Sequence, residues 1–286
     1  MPEHVTICEV GPRDGLQNEA ALVATADKIR LIDLLSTAGI TYIEAASFVS
    51  PKRVPQMADG AEVLAGIARR PGAIYAALTP NLQGYEAARK AGASEVAVFA
   101  SASETFSQRN INCSIVESLL RYDAVCAAAR DDGIPVRGYV SCVIACPYEG
   151  PVKPETVAHV ATALLGMGCR EISLGDTIGV ARPSDVDALL SVVLREIPAA
   201  QFAGHFHDTG GRALDCIRTA LVHGLRTFDS AIGGTGGCPF APGSPGNVAT
   251  EAVLIMLADA GYETGIDRAA LQKAADFIGS IVRRQR

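Results

Sequence analysis

The chain has 286 residues, 49% of them apolar, with 25 lysines and arginines against 31 aspartates and glutamates and a net charge of −6. That apolar content excludes a disordered chain, and the acidic balance excludes a protein built to grip a nucleic-acid backbone, although a few local cations would still serve a small anionic ligand. No apolar run reaches the roughly 18 residues of a membrane span, the start MPEHVTICEV lacks a signal-peptide pattern, and eight cysteines without a Cys-x-x-Cys pair read as reduced thiols, so a cytoplasmic globular protein is expected.

Short β-branched or apolar runs alternate along the chain with segments of helical period. Strands are expected at residues 5–10, 40–45, 73–78, 95–100, 136–142, 171–174, 202–206 and 227–232. Helices are expected near 25–38, 58–70, 83–91, 114–132, 154–167, 184–196, 212–223 and 247–260, with a further one near 268–282 whose place in the fold the pattern does not give. Gly39, Gly92, Gly133, Gly168 and Gly224 each follow a helix and precede a strand, where a left-handed cap belongs. Eight strand–loop–helix units in about 250 residues predict a (β/α)8 TIM barrel, α/β in class, that uses residues 1–286 as a single domain. No Gly-x-Gly-x-x-Gly follows the first strand, which argues against a dinucleotide-binding sheet. The Pro- and Gly-rich stretch 233–246 reads as a long active-site loop.

In such a barrel the chemistry sits at the C-terminal ends of the strands. The residues there are Arg13 and Asp14 after the first strand, Glu44 in the second, and Arg137, Tyr139 and Ser141 on one face of the fifth. Asp176 ends the sixth, His205-Phe206-His207 the seventh, and Cys238 and Asn247 lie in the loop after the eighth. Alternation along a strand points both imidazoles to one side, where they could grip one cation or serve as hydrogen-bonded barrel residues without a metal. Joined by the Asp14 carboxylate and the Asn247 amide oxygen, they form a mixed nitrogen and oxygen set suited to Mg²⁺ or Mn²⁺. Arg13 can either pair with Asp14 or neutralise an oxyanion. Glu44 and Asp176 can orient neighbours or act directly, and Arg137, Tyr139 and Ser141 can pack the interior or meet substrate. Cys238 can be a plain loop thiol or a proton donor, and Lys52 and Arg53 can be solvated charges or phosphate contacts.

The segments Glu9-Val-Gly-Pro-Arg-Asp-Gly-Leu-Gln-Asn-Glu19, Ser47–Lys52, Arg137–Cys142, Cys146-Pro-Tyr-Glu-Gly150, Ser173–Gly179, His205-Phe-His-Asp-Thr209, Gly236-Gly-Cys-Pro239 and Gly246–Glu251 resemble the 3-hydroxy-3-methylglutaryl-CoA lyase family, in order and over nearly the whole chain. Condensing enzymes of the wider group carry His-x-His-Asn-Asp where this chain has His-x-His-Asp-Thr. The resemblance implies metal-dependent cleavage of an acyl-CoA to acetoacetate and acetyl-CoA, with Asp14, His205, His207 and Asn247 on Mg²⁺ or Mn²⁺. It implies that Arg13 and Cys238 act in catalysis with Glu44 and Asp176 in support, and that the base is His205 or a water on the cation. It further implies a homodimer and a place in leucine breakdown and ketone-body formation. Gly210 departs from the tyrosine such lyases often carry, which leaves room for a longer branched 3-hydroxyacyl chain. The chain also ends without the C-terminal cysteine of the animal enzymes. A condensing transferase and a barrel that binds ligand without turnover are the other readings.

Overall fold

Alternating apolar runs and helical stripes bury one another as strands inside a ring of helices. The computed structural model describes residues 2–17, 19, 21–236 and 246–284. Its barrel strands are β1 (Thr6–Glu9), β2 (Tyr42–Ser47), β3 (Ile74–Leu78), β4 (Glu95–Ser101), β5 (Val136–Ser141), β6 (Glu171–Asp176), β7 (Phe202–Phe206) and β8 (Thr227–Ser230). All eight pair in parallel, and β8 closes on β1 from Thr6 opposite Thr227 to Glu9 opposite Ser230. The expected TIM barrel is therefore present.

Around it lie α1 (Thr25–Thr37), α2 (Gly60–Gly66), α3 (Leu82–Lys90), α4 (Glu104–Ile111), α5 (Ile115–Asp131), α6 (Pro154–Met167), α7 (Pro183–Val193), α8 (Ala213–Val222), α9 (Thr250–Asp259) and α10 (Arg268–Arg284). The five glycines expected to cap helices all have positive φ, between 68° and 109°. α10 packs on α1, and its Leu271, Ala274, Ile278 and Ile281, spaced along one helical face, are buried. No helix among the described residues is long and apolar enough to cross a membrane.

Four local expectations need correction. Helix α4 was unforeseen: Ser103 caps it by accepting from the Phe106 amide, but its eight residues hold too few apolar positions to show a period. Helix α2 stops at Gly66 rather than 70 because Pro71 disfavours helical backbone before it and Asp33 captures the Ala68 amide. Strand β6 runs on through Gly175 to Asp176, and β2 reaches Ser47 through a register shift between Glu44 and Ala46.

Most of the apolar core lies between the outer faces of the strands and the helices. The barrel interior is largely ionic. Low in it, Glu95 accepts from Tyr42 Oη and from Arg170. Further up, the wholly buried Arg137 lies between Glu171 and Asp229, each at 2.7 Å.

Candidate active site

After β1 the chain makes one wide turn, Gly11–Gly15, in which the Gly15 amide reaches back five residues to the Val10 carbonyl at 3.1 Å. Turns of this kind recur at functional sites because they redirect side chains. Here the turn aims Arg13 and Asp14 into the barrel mouth. Arg13 Nε donates to Glu44 Oε2 at 2.6 Å and Nη1 to Asp14 Oδ1 at 2.6 Å, and the guanidinium lies over the Tyr139 ring.

The other oxygen of Asp14 accepts from Asn247 Nδ2 at 2.8 Å and lies 4.0 Å from His207 Nε2. His205 and His207 stand side by side with ring centroids 5.2 Å apart, as period two on β7 requires. Ligand atoms of Asp14, His205 and His207 all lie within 4.8 Å of one another. Two ligands about 2.1 Å from one cation are separated by roughly 3 Å when adjacent and 4 Å when opposite, so this trio fits a cation after small adjustments. Asn247 pairs its backbone with His207 and points its amide nitrogen at Asp14, so it joins a cation only by turning the amide to present oxygen.

Protonation supports the same fit. Burial would raise the Asp14 carboxyl, but Arg13 and the two imidazoles outweigh it and hold the pKa down at about 2. Burial, with His205 beside it, pushes His207 down to about 4, which leaves a neutral ring with a lone pair to give. Burial opposes charge on His205 too, but its hydrogen bond to Asp229 prevails and raises its pKa. His205 Nδ1 donates to Asp229 Oδ2 at 3.1 Å, so Nε2 is the nitrogen left for a cation, and coordination there excludes service as a base.

A cavity of about 760 Å³ opens from this cluster, with Arg13, Asp14, Tyr139, Ser141, His205 and His207 at its inner end. Its outer wall includes Arg53, Asn81, Asn110 and Arg121. Three of the expected site residues, Arg137, Glu44 and Asp176, do not line this cavity. Arg137 is wholly buried below the cavity, with its nitrogens on Glu171, Tyr139 and Asp229, and does not face substrate. Glu44 lies fully buried behind Arg13, where burial raises its carboxyl despite that cation. Asp176 accepts from the Val180 and Ala181 amides and shapes the turn before α7. Gly210 does not widen the cavity either, because a Cβ there would meet the Arg212 guanidinium at 2.6 Å. Cys238 lies outside the described residues. Sequence reasoning passed over Asp229, whose signal was a charged residue in an otherwise unremarkable barrel strand.

A parallel barrel that gathers a carboxylate, two imidazoles and an arginine at the C-terminal ends of its strands has the build of an enzyme with a cation site. The family model described as HMGL-like matches residues 4–278, and the chain belongs to that family. It is 56% identical over 282 residues to the 3-hydroxy-3-isohexenylglutaryl-CoA/hydroxymethylglutaryl-CoA lyase of Pseudomonas aeruginosa, covering 99% of this chain and 94% of that protein. The crystal structure of the HMG-CoA lyase from Brucella melitensis superposes with a TM-score of 0.97 at 57% identity, covering 98% of this chain and 99% of that one. An HMG-CoA lyase from Acinetobacter baumannii, solved with coenzyme A and 3-methylmalate, superposes with a TM-score of 0.93 at 38% identity over 98% of this chain and 92% of that one.

Proposed function

We propose that this protein is a divalent-metal-dependent carbon–carbon lyase that cleaves 3-hydroxy-3-methylglutaryl-CoA to acetoacetate and acetyl-CoA. The observation that carries this is the convergence of Asp14, His205 and His207 within 4.8 Å beside a fixed arginine, at the inner end of a cavity of about 760 Å³. The family membership given above supports it. Asp14, His205 and His207, with Asn247 once its amide turns, hold Mg²⁺ or Mn²⁺. When bound, the cation acidifies the tertiary hydroxyl and fixes the substrate's oxygens.

The reaction is a retro-Claisen step: the hydroxyl passes its proton to a water in the cavity, its oxygen becomes the ketone of acetoacetate, and the C–C bond electrons pass into the thioester as an enolate. Arg13, anchored from behind by Glu44, directs its remaining N–H groups at that enolate oxygen, which is charged only as the bond breaks. Tyr139 and Ser141 line the pocket beside it and bind the acyl part. Cys238, which lies between β8 and α9 in the sequence, protonates the enolate carbon to release acetyl-CoA. The outer cations Arg53 and Arg121 match a polyanionic ester carrier. The setting we propose is a cytoplasmic homodimer acting in leucine breakdown, and the described cysteines, all free thiols, agree with a reducing compartment.

Incubating the protein with the thioester and Mg²⁺ or Mn²⁺, with and without chelator, and identifying products by mass spectrometry tests the proposal. Metal-dependent acetoacetate and acetyl-CoA are expected; intact substrate with folded, metal-loaded protein would refute it. A second reading, cleavage of a longer branched 3-hydroxyglutaryl-CoA, is favoured by the name of the Pseudomonas relative. Competition between the two esters decides it.

A further inference from the structure

Glu9, at the C-terminal end of β1, has no exposed surface and joins none of the ion pairs among the described residues. It is an acceptor hub instead. Its Oε1 accepts from the Gly11 and Ile232 amides, each at 2.8 Å, and its Oε2 from Thr250 Oγ1 at 2.6 Å. Thr250 Oγ1 in turn meets Ser230 Oγ at 2.8 Å.

These three partners open three separate segments. Gly11 begins the wide turn that carries Arg13 and Asp14. Ile232 begins the turn that follows β8, six residues before Cys238 in the sequence. Thr250 begins α9, three residues beyond Asn247. Ile232 and Thr250 lie 223 and 241 residues from Glu9, so the intervening chain does not itself set their spacing. Close approach depends on Gly11, where a Cβ would fall 2.5 Å from Glu9 Oε1.

We propose that Glu9 is a positioning residue, whose buried carboxyl group locks the Arg13–Asp14 turn, the turn after β8 and the start of α9 into one arrangement. Asp14 and Asn247 then face each other at 2.8 Å from opposite ends of the chain. The proposal rests on the reading above that these two side chains share a cation, and Glu9 itself touches neither substrate nor metal.

The test titrates Mn²⁺ into Glu9→Ala and Glu9→Gln by electron paramagnetic resonance and measures kcat and KM for the thioester on the same samples. Glu9→Ala is expected to weaken Mn²⁺ binding and lower kcat at least tenfold each, with KM within threefold, because Arg53, Asn81 and Asn110 line a distant wall. Glu9→Gln keeps an oxygen for both amides and offers an NH₂ that Thr250 Oγ1 accepts, so it restores both values to within threefold of the parent. A merely structural glutamate would give variants that differ in melting temperature and not in Mn²⁺ affinity. A folded Glu9→Ala protein with parental Mn²⁺ affinity and kcat would overturn the proposal, as would failure of the glutamine to rescue. Should Glu9→Ala not melt cooperatively, Thr250→Val decides: the same paired loss, at least threefold, supports the role, and parental values overturn it. A parent that binds Mn²⁺ but leaves the thioester intact refutes the proposed reaction alone; one that binds no Mn²⁺ overturns both.

Discussion

Asp229→Asn perturbs the site from below. The carboxylate is fully buried and accepts from Arg137 Nη2 at 2.7 Å, Arg137 Nη1 at 3.1 Å, Ser173 Oγ at 2.7 Å and His205 Nδ1 at 3.1 Å. Burial favours its neutral form, but Arg137 and His205 outweigh that and keep it ionised. With asparagine, either orientation of the amide turns an NH₂ group toward an Arg137 nitrogen. The guanidinium keeps Glu171 as its one carboxylate partner at 2.7 Å. Two unit charges about 4 Å apart attract by about 4 kcal/mol at an effective dielectric near 20, and breaking a buried pair costs about 3–5 kcal/mol. Since Glu171 stays and the amide retains some hydrogen bonds, the lower end, about 3 kcal/mol, is expected. For a chain of this size that lowers the melting temperature by roughly 6–12 °C. The imidazole of His205 also loses the carboxylate that orients it, which weakens metal binding by about 10- to 100-fold. Thermal melts by circular dichroism and Mn²⁺ titration near neutral pH measure the two effects. A melting temperature within about 2 °C of the parent, together with unchanged Mn²⁺ affinity, would refute the idea that Asp229 supports both the ionic interior and the metal ligand.

Asp14→Asn and His207→Ala should each lower Mn²⁺ affinity and turnover together; tight metal binding with parental turnover would remove them as ligands. Arg13→Met should leave a folded, metal-binding protein whose kcat has fallen by about 10²–10³, as for loss of one oxyanion donor, and turnover within a few-fold of the parent would make Arg13 structural only. Cys238→Ser should reduce kcat with substrate affinity spared, whereas an equal rise in the dissociation constant would assign the residue to substrate binding. Burial lifts the Glu9 carboxyl from 4.5 to about 7, so the folded state holds its proton across that window while the unfolded state releases it. Stability from this group is therefore full below about pH 4.5 and falls as pH rises through 7; relative to Glu9→Gln the parent should lose about 3 kcal/mol over that span, and parallel stability curves would contradict the assignment.

Fold and site differed in how far the sequence disclosed them. Barrel strands and helices repeat a strong pattern, and the glycine caps at Gly39, Gly92, Gly133, Gly168 and Gly224 punctuate it, so the architecture could be read directly. What failed to show were features without a period: the eight-residue α4, and the wide turn at Gly11–Gly15, which depends on amides that reach back five residues rather than on composition. Among site residues, Arg13, Asp14, His205 and His207 were legible because they sit at strand ends and share a face. Arg137 was misplaced because period two gives the face of a strand but not the depth. Four residues separate it from Ser141, about 13 Å along β5, which takes it from the cavity wall to the barrel floor.

That depth explains the construction of the site. Arg13 and His205, which face the cavity, are each tied down by a group that does not: Arg13 by Glu44, and His205 by Asp229, which Arg137 holds in turn. The outward-facing atoms are thereby left with unspent capacity in a fixed direction. Nε of Arg13 is committed to Glu44, while Nη1 and Nη2 each keep a hydrogen beyond their contacts with Asp14 and Glu44. His205 keeps Nε2, and Asp14 keeps lone pairs on an oxygen already aligned by Asn247. An enolate that forms between them meets dipoles and charge set in place before the bond breaks, so little reorganisation is required in the transition state. An interior packed with valine and leucine would hold the strands equally well but could not orient those donors. The ionic floor therefore belongs to the catalytic apparatus, and its residues should show their effect in metal affinity and kcat as well as in stability.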